Sequence, residues 1–338
     1  GVFTLELNPE TRILYAGTRA GGVFRMRVYI TGAAGMIGFH TAIKLKESGH
    51  DVVGIDNYND YYDPNLKWAR SDILKEYDVE VRKDDINHLN WRAIGDDCDA
   101  VIHLAAYANP RHAMEMPEPY IQSNIMGTSN ILKGLEQSKT PCLYASSSCV
   151  MHGQPLPWNE HDKGGYQNNP YGWSKYVNEC QFHHSNLPKS AGLRFFTVYG
   201  PYGRPDMALY GFTDKIVAGE EILAFNNGDM QRDFTYVDDI VQGVELVFNN
   251  MMDGQENQHE IFNIGYGQKV QLMDFIALIE KNLGRKAEIN YQPFHPADTP
   301  ITWSDTTKIK KLGYNPTTPI EVGVEKFINW YKEYHNVN

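Results

Sequence analysis

With 338 residues, 42% of them hydrophobic, the chain has apolar material for about two packed units. Its formal net charge of −11 excludes nucleic acid as a general partner, because a phosphate-binding surface needs a basic excess. Four cysteines (Cys98, Cys142, Cys149, Cys180) fit neither a zinc pattern nor a disulfide framework, and no apolar run approaches the ~20 residues that cross a bilayer, so a cytoplasmic protein with no membrane partner is expected.

Residues 1–25 stand apart. Val2 to Leu7, the turn Asn8-Pro9-Glu10-Thr11 and Arg12 to Tyr15 read as a hairpin, followed by Ala20-Gly21-Gly22; the segment is taken as an appendage or artificial leader, with Met26 the natural start of the fold. Arg27-Val-Tyr-Ile-Thr-Gly-Ala-Ala-Gly-Met-Ile-Gly38 then reads as a buried strand, a glycine turn and a helix start. Gly32 lets the chain turn off the strand, Gly35 lets the backbone approach a pyrophosphate, and Gly38 lets the helix pack on the sheet with its free N–H groups facing the anion. A second strand, Asp51-Val-Val-Gly-Ile55, ends at Asp56, 18 positions after Gly38, where a carboxylate accepts from both hydroxyls of an adenosine ribose and repels a 2′-phosphate. The pattern predicts NAD rather than NADP.

Val79-Glu-Val-Arg82 reads as a third strand, leading to Asp84-Asp85-Ile86 at the adenine edge, and Asp99-Ala-Val-Ile-His-Leu-Ala-Ala106 as a fourth, apolar enough to be covered on both faces. A helix over 119–137 precedes a fifth strand, Cys142-Leu-Tyr-Ala-Ser146; Asn169-Pro170 opens the next helix, and Gly192-Leu-Arg-Phe-Phe-Thr197 reads as a sixth strand. Such alternation predicts a doubly wound α/β fold whose ligands lie beyond the strands' carboxyl ends, so Ala105, Ala106, Tyr107 and the serines after Ala145 border one crevice. From Gly200 the composition shifts to Gly/Pro-rich loops, as in a smaller substrate-capping unit. Thr318-Pro319-Ile320-Glu321 has the form of a capping box before a last amphipathic helix. The expected units are a cofactor domain over 26–190, with a return around 233–250, and a substrate domain over 191–338.

Tyr171-Gly-Trp-Ser-Lys175 puts a phenol and an ammonium on one helical face. A tyrosine at its ordinary pKa of ~10 is a poor base near neutrality, but positive charge from the lysine and from a nicotinamide ring favours the phenolate. Tyr171 can then take a hydroxyl proton.

Together these features resemble the extended short-chain dehydrogenase/reductase family from Met26 to about Tyr334, and within it the NAD-dependent nucleotide-sugar 4-epimerases acting on UDP-glucuronate. The stretches that carry the resemblance are Gly54-Ile-Asp-Asn-Tyr-Asn-Asp-Tyr-Tyr-Asp63, Tyr144-Ala-Ser-Ser-Ser-Cys-Val150, Arg194-Phe-Phe-Thr-Val-Tyr-Gly-Pro-Tyr-Gly-Arg-Pro-Asp-Met-Ala208 and Met230-Gln-Arg-Asp-Phe-Thr-Tyr-Val-Asp-Asp239. The resemblance implies a Rossmann-type parallel sheet with a smaller nucleotide-sugar-binding α/β domain, tightly held NAD, a UDP-sugar substrate and a homodimer. It implies oxidation at C4, rotation of the 4-keto sugar and re-reduction from the opposite face, turning UDP-glucuronate into UDP-galacturonate for polysaccharide synthesis. Ser147, Tyr171 and Lys175 would be catalytic. The expected cofactor wall comprises Gly32, Gly35, Met36, Ile37 and Gly38; Asp56, Asn57, Asn59 and Asp60; Asp85 and Ile86; Leu104, Ala105, Ala106, Tyr107 and Asn124; and Tyr171 with Lys175. Arg111, Ser147, Ser148, Thr197 and Arg204 match positions around the sugar carboxylate, Arg232 the diphosphate clamp, Phe225 the uracil neighbour and Asp298 a ribose acceptor.

The chain departs from the family where Cys149 replaces a serine, Met151-His152 replaces Tyr-Gly, and Tyr107-Ala-Asn-Pro110 replaces the usual Gln-Ala-Gly-Val before Arg111. Dehydratases and decarboxylases of the family carry an acid beside the catalytic hydroxyl, and Ser147-Ser148-Cys149 has none. The nearest alternative is a UDP-glucose 4-epimerase, separated by Arg111, Arg204 and Thr197; an inactive NAD-binding sensor or scaffold would have broken the Ser/Tyr/Lys set. No histidine, His183-His184 included, has a ligand spacing, so no metal is expected.

Overall fold

Seven parallel strands form the central sheet of the computed structural model, which describes residues 3–7, 14–18, 25–162, 165–254 and 258–337. The chain begins with β1 (Phe3–Leu7) and β2 (Leu14–Thr18), paired antiparallel with Leu7 opposite Leu14. The expected hairpin therefore forms, its second strand lying further along the chain than read; the turn at 8–11 lies outside the described residues. Then follow β3 (Arg27–Thr31), α1 (Met36–Glu47), β4 (Asp51–Asp56), α2 (Asn65–Glu76), β5 (Glu80–Lys83), α3 (Trp91–Asp96), β6 (Ala100–His103) and α4 (Pro110–Glu115). Next come α5 (Thr128–Ser138), β7 (Cys142–Ser147), α6 (Pro170–His183), β8 (Lys189–Phe195), β9 (Thr197–Tyr199), α7 (Ala208–Ala218), β10 (Glu221–Ala224), β11 (Gln231–Arg232) and β12 (Phe234–Tyr236). The last elements are α8 (Val237–Asp253), β13 (Gln258–Ile264), β14 (Val270–Gln271), α9 (Leu272–Leu283), β15 (Glu288–Tyr291), α10 (Thr307–Lys310) and α11 (Ile320–His335).

The sheet order is β13-β8-β7-β6-β3-β4-β5. Chain direction across the sheet reverses between β3 and β6, and the ligand crevice of such sheets opens beyond the strand ends at that reversal. Side-chain alternation feeds both faces. Val28 and Ile30 pack with Phe39 and Leu45 of α1 and with Val244 and Val247 of α8, whereas Tyr29 packs with Ile131 and Leu135 of α5 and Phe182 of α6. Burial on both faces is why these strands read as apolar runs. The strand β8 crosses residue 190 and β13 lies well beyond it, so the sheet runs on past residue 190.

Beyond the sheet, β9 pairs with β12 and β10 with β15 in parallel, and β11 pairs antiparallel with β14. Their covering helices contribute Tyr210, Phe275, Ile279 and Phe327 to the same apolar cluster that holds Val28 and Ile30. The two parts share one core.

Two local expectations change. The helix expected over 119–137 enters through a π-helical stretch, Tyr120–Gly127, before α5. There Asn124 is drawn aside: its Oδ1 accepts from Tyr107 N at 2.9 Å and its Nδ2 donates to Tyr107 O at 2.9 Å, a local widening of the kind often found near functional sites. The capping box before α11 does not form; Pro319 occupies the cap position without a side-chain hydrogen bond, and the N–H groups of Thr317 and Thr318 go to the buried Asp239 at 2.9 and 3.0 Å. Chemical denaturation should therefore find Thr318→Ala within ~0.5 kcal/mol of wild type, and Asp239→Ala destabilised by ~1–3 kcal/mol because the buried Thr318 N–H and its neighbour lose their acceptor.

Candidate active site

The ends of β3 and β6 are locked together. Thr31 Oγ1 lies 2.8 Å from His103 Nδ1 and accepts from the N–H groups of Leu104 and Ala105 at 3.1 Å each, while His103 Nε2 lies 3.1 Å from Thr128 Oγ1. Burial pushes the imidazole down to about 3, so the ring is neutral and serves as a structural link. Directly above, Gly32 has φ +71°, and a Cβ there would stand 2.8 Å from Ala105 N. A Cβ on Gly38 would stand 2.1 Å from Gly32 O. Only bare backbone fits this turn, and Gly35 closes it as the cap of α1.

A cleft of about 380 Å³ runs from this turn past Asp56 and Asn57, along Ser147, Tyr171 and Lys175, to Thr197, Arg204, Arg232 and Asp298. The wall fits NAD: a cradle that any side chain would fill, a carboxylate at one end, and a lysine and a phenol further along it. Asp56 is held in place by the N–H groups of Ala34 at 3.1 Å and Tyr58 at 2.9 Å.

At the centre, β7 delivers Ser147 and α6 delivers Tyr171 and Lys175. Asn169 caps α6 by accepting from Gly172 N at 2.8 Å, and Pro170 occupies the first turn, where its missing N–H costs nothing. Burial pushes the Tyr171 phenol above its ordinary value; its hydrogen bond with Ser147 and the charge of Arg204, rather than Lys175, lead the groups pulling it back. Lys175 is itself brought down to about 7 by burial, and its Nζ donates to Ala145 O at 2.9 Å. The phenol is therefore protonated until further positive charge arrives beside it.

Charge at the far end is mostly paired. Arg204 meets Asp206 at 2.5 Å, and Arg111 meets Asp298 at 2.8 Å with its guanidinium carbon 3.8 Å from the Phe225 ring centre. Arg232 donates to the carbonyls of Gln231 at 2.9 Å and Pro300 at 3.1 Å, and has no carboxylate within ion-pair distance among the described residues. Burial pushes its guanidinium below its ordinary value against the charge of Asp298, and Arg232 joins Lys67 and Lys175 as cleft cations without an ion pair among the described residues.

Most expected residues meet on this wall: Gly32, Gly35, Met36, Ile37, Gly38, Asp56, Asn57, Asn59, Ile86, Leu104, Ala105, Ala106, Tyr107, Ser147, Ser148, Tyr171, Lys175, Thr197, Arg204, Arg232 and Asp298. Asp60, Asp85, Asn124, Arg111 and Phe225 are not on it. Beyond β5, Asp84 and Ile86 face the cleft while the intervening Asp85 accepts from Asn57 Nδ2 at 3.1 Å and Asn87 N at 2.8 Å. Asn124 supports the Tyr107 backbone from behind. Arg111 and Phe225, expected at the carboxylate and the uracil, pack on each other beside Asp298, which does line the cleft. Among the wall residues that the sequence reading did not single out are Tyr61 and Tyr62, whose signal lay in the stretch Gly54 to Asp63; Lys67; and Thr299. Lys67 is buried and donates to Asn59 O and Oδ1 at 2.9 Å each, a placement set by how α2 packs and marked by no local pattern.

A model of the NAD dependent epimerase/dehydratase family matches residues 28–265. The chain belongs to that family. Among curated relatives of this epimerase/dehydratase, protein CapI of Staphylococcus aureus is 38% identical over 336 residues, spanning 92% of this chain and 99% of the relative. UDP-glucuronate 4-epimerase 1 of Arabidopsis thaliana is 36% identical over 342 residues, 95% of this chain and 79% of the relative. Among solved structures, UDP-glucuronic acid 4-epimerase from Bacillus cereus in complex with UDP-glucuronic acid and NAD superposes with a TM-score of 0.84 at 30% identity, covering 91% of this chain and all (100%) of that one.

Two outcomes test the cradle and the lysine. Gly38→Ala, forced against the Gly32 carbonyl, should cost ~1–3 kcal/mol in denaturant unfolding and leave the protein without bound dinucleotide after purification. A lysine whose folded pKa of about 7 lies below its ordinary 10.5 binds fewer protons in the native state between those values, so the native state gains stability as pH rises through that window. In cofactor-free protein, the stability advantage of Lys175→Met over wild type should accordingly be largest near neutral pH and shrink as the pH is raised toward that of the free amine.

Proposed function

We propose that this family member is an NAD-dependent isomerase that interconverts UDP-glucuronate and UDP-galacturonate by epimerisation at C4. The observation that carries the reading is one continuous cleft in which the glycine turn and Asp56, the Ser147/Tyr171/Lys175 set, and Arg232 succeed one another. Arg232 would hold the diphosphate, and Asp298 the uridine ribose. When bound, NAD takes the hydride from C4 and returns it to the opposite face of the rotated sugar. Tyr171 accepts the C4 hydroxyl proton and later gives it back, Ser147 hydrogen-bonds the same oxygen, and Lys175 holds the nicotinamide ribose. The cation brought by the oxidised ring is the charge that lowers the buried phenol into a useful range. The oxidised sugar is a β-keto acid, and Ser148, Thr197 and Arg204 would keep its carboxylate from turning into the orientation that expels CO2.

A neutral hexose is the second reading, favoured by the Arg111–Asp298 pair, which engages one of the cations expected at the carboxylate with the chain's own acid. A UDP-glucose 4-epimerase from Thermotoga maritima matches with a TM-score of 0.79 at 26% identity. We also propose that the cofactor-holding unit comprises residues 26–195 with 237–264, the remainder capping the sugar, and that the protein acts as a homodimer. Met114, Met116, Ile121, Met126 and Trp173 are exposed on α4, the π-helical stretch and α6, an apolar face suited to a second copy. No helix among the described residues is long and apolar enough to cross a membrane, and a cytoplasmic location is proposed on that basis with the unpaired cysteines.

Purified protein mixed with UDP-glucuronate and no added coenzyme should form UDP-galacturonate by NMR; conversion of UDP-glucose alone would select the second reading. Tyr171→Phe should retain NAD and lose at least ~10²-fold in turnover. Arg204→Ala should raise KM for the uronate more than for UDP-glucose, and equal effects would detach it from the carboxylate. Ile121→Glu combined with Met126→Glu should halve the mass measured by sedimentation.

A further inference from the structure

Asp206 has no part in the chemistry above, yet four hydrogen bonds converge on it from three loops. Its Oδ1 accepts from Arg204 Nε at 3.0 Å; its Oδ2 accepts from Arg204 Nη2 at 2.5 Å, Tyr61 Oη at 2.9 Å and Asn109 Nδ2 at 2.9 Å. Burial alone would push this carboxyl up, but the charge of Arg204 and the converging donors hold it below its ordinary value. Asp206 sits at the rim of the cleft, and its side chain and that of Arg204 each keep about a fifth of their surface, so what the pair contributes is the fixed geometry of a two-point grip with further donors converging on it.

The grip has a geometric consequence. It occupies Nε and Nη2 of Arg204, the latter also donating to Ala108 O at 3.2 Å, and leaves Nη1 without a partner among the described residues. A guanidinium is planar and rigid, so fixing two of its nitrogens fixes the third. Arg204 lines the cleft and its charge acts on the Tyr171 phenol, so the free edge belongs to the reacting end. Asn109 extends the same control. While its Nδ2 is held by Asp206, its Oδ1 caps α4 by accepting from Arg111 N at 2.9 Å and His112 N at 3.1 Å. One carboxylate thus orients Arg204 and anchors the helix start that carries Arg111.

We propose that Asp206 is a positioning residue: by gripping Arg204, Tyr61 and Asn109 together, it fixes the free guanidinium edge against the sugar carboxylate so that the 4-keto sugar turns without losing CO2. This rests on the uronate reading above. The failure it prevents is a balanced reaction. With C4 oxidised and the carboxylate out of line, the C5–C6 bond breaks, its electron pair passes into the C4 carbonyl as an enolate, CO2 departs, C5 takes a proton from water, and the hydride stays behind on the reduced cofactor.

The test uses the NAD-loaded enzyme. Absence of UDP-glucuronate conversion by wild type overturns the uronate reading itself, and the positioning role with it. Once conversion is seen, Asp206→Asn, equal in shape and without charge, is expected to lower kcat by ~10-fold or more while KM for UDP-glucuronate stays within ~3-fold, since the arginine's charge remains. It should also release labelled CO2 from substrate labelled at C6, with reduced nicotinamide accumulating in step, a product that a merely structural loss would not create. Tyr61→Phe removes one hydrogen bond and should move the same readouts less, by ~2–5-fold in kcat. Adding Asp206→Asn to Arg204→Ala should cost nothing further; additive losses overturn the proposal. So does a Tyr61→Phe enzyme with wild-type kcat and no labelled CO2, whether or not Asp206→Asn folds.

Discussion

Everything in the cleft is referenced to the junction where Thr31, His103 and Thr128 join two strand ends to the helix behind them. Neighbouring parallel strands that leave their helices on opposite faces must part above the sheet, and the place where they part is the only one where backbone is bare enough to receive a dinucleotide. The neutral imidazole keeps that parting narrow at its base. Gly32 can then sit against Ala105, and Gly38 against Gly32, so the helix start, the carboxylate of Asp56 and the α6 pair inherit fixed positions from one small hydrogen-bonded knot.

Electrostatics divides the cleft by function. The centre carries a phenol and a lysine whose burial disfavours their charged forms, a standing imbalance that an incoming cation or proton donor can exploit. The far end has its charges matched, Arg204 with Asp206 and Arg111 with Asp298, and leaves Arg232 without an ion pair among the described residues. An anion entering there meets that cation inside a frame of neutralised ones. Such a frame gives direction to binding more than strength, because paired arginines are held in place and contribute donors at set angles.

What could be read from the chain alone followed the range of the physics involved. Strand and helix identity in the sheet was legible because alternation, apolar runs and Pro/Gly punctuation are local, and the glycine turn was legible because its constraint is backbone sterics within a dozen residues. Tyr171 and Lys175 came from a helical spacing that carries its own geometry, and Ser147 from the family resemblance. The capping box failed because Asp239, far away in sequence, takes the Thr318 N–H that the Glu321 side chain would have accepted. Past β5 the alternation of side chains puts Asp84 and Ile86 on the cleft wall and turns Asp85 to Asn57 and Asn87, a difference that the Asp-Asp pair in the sequence does not reveal. The meeting of Arg111, Phe225 and Asp298 was not legible at all: the ion pair joins residues 187 positions apart, and nothing in either neighbourhood encodes the other. Lys67 was hidden for the same reason.

The apolar cluster that runs without interruption from Val28 through Val244 to Phe275 and Phe327 bears on how ligands come and go. Two bodies that merge in one close-packed interior cannot swing apart about a hinge without exposing that interior to water. Traffic through the mouth is thereby left to side chains and short loops at its rim, movements too small to let a long dinucleotide escape while a sugar pivots and departs. A coenzyme that resets itself at every turnover is well matched to a cleft whose two walls share one interior.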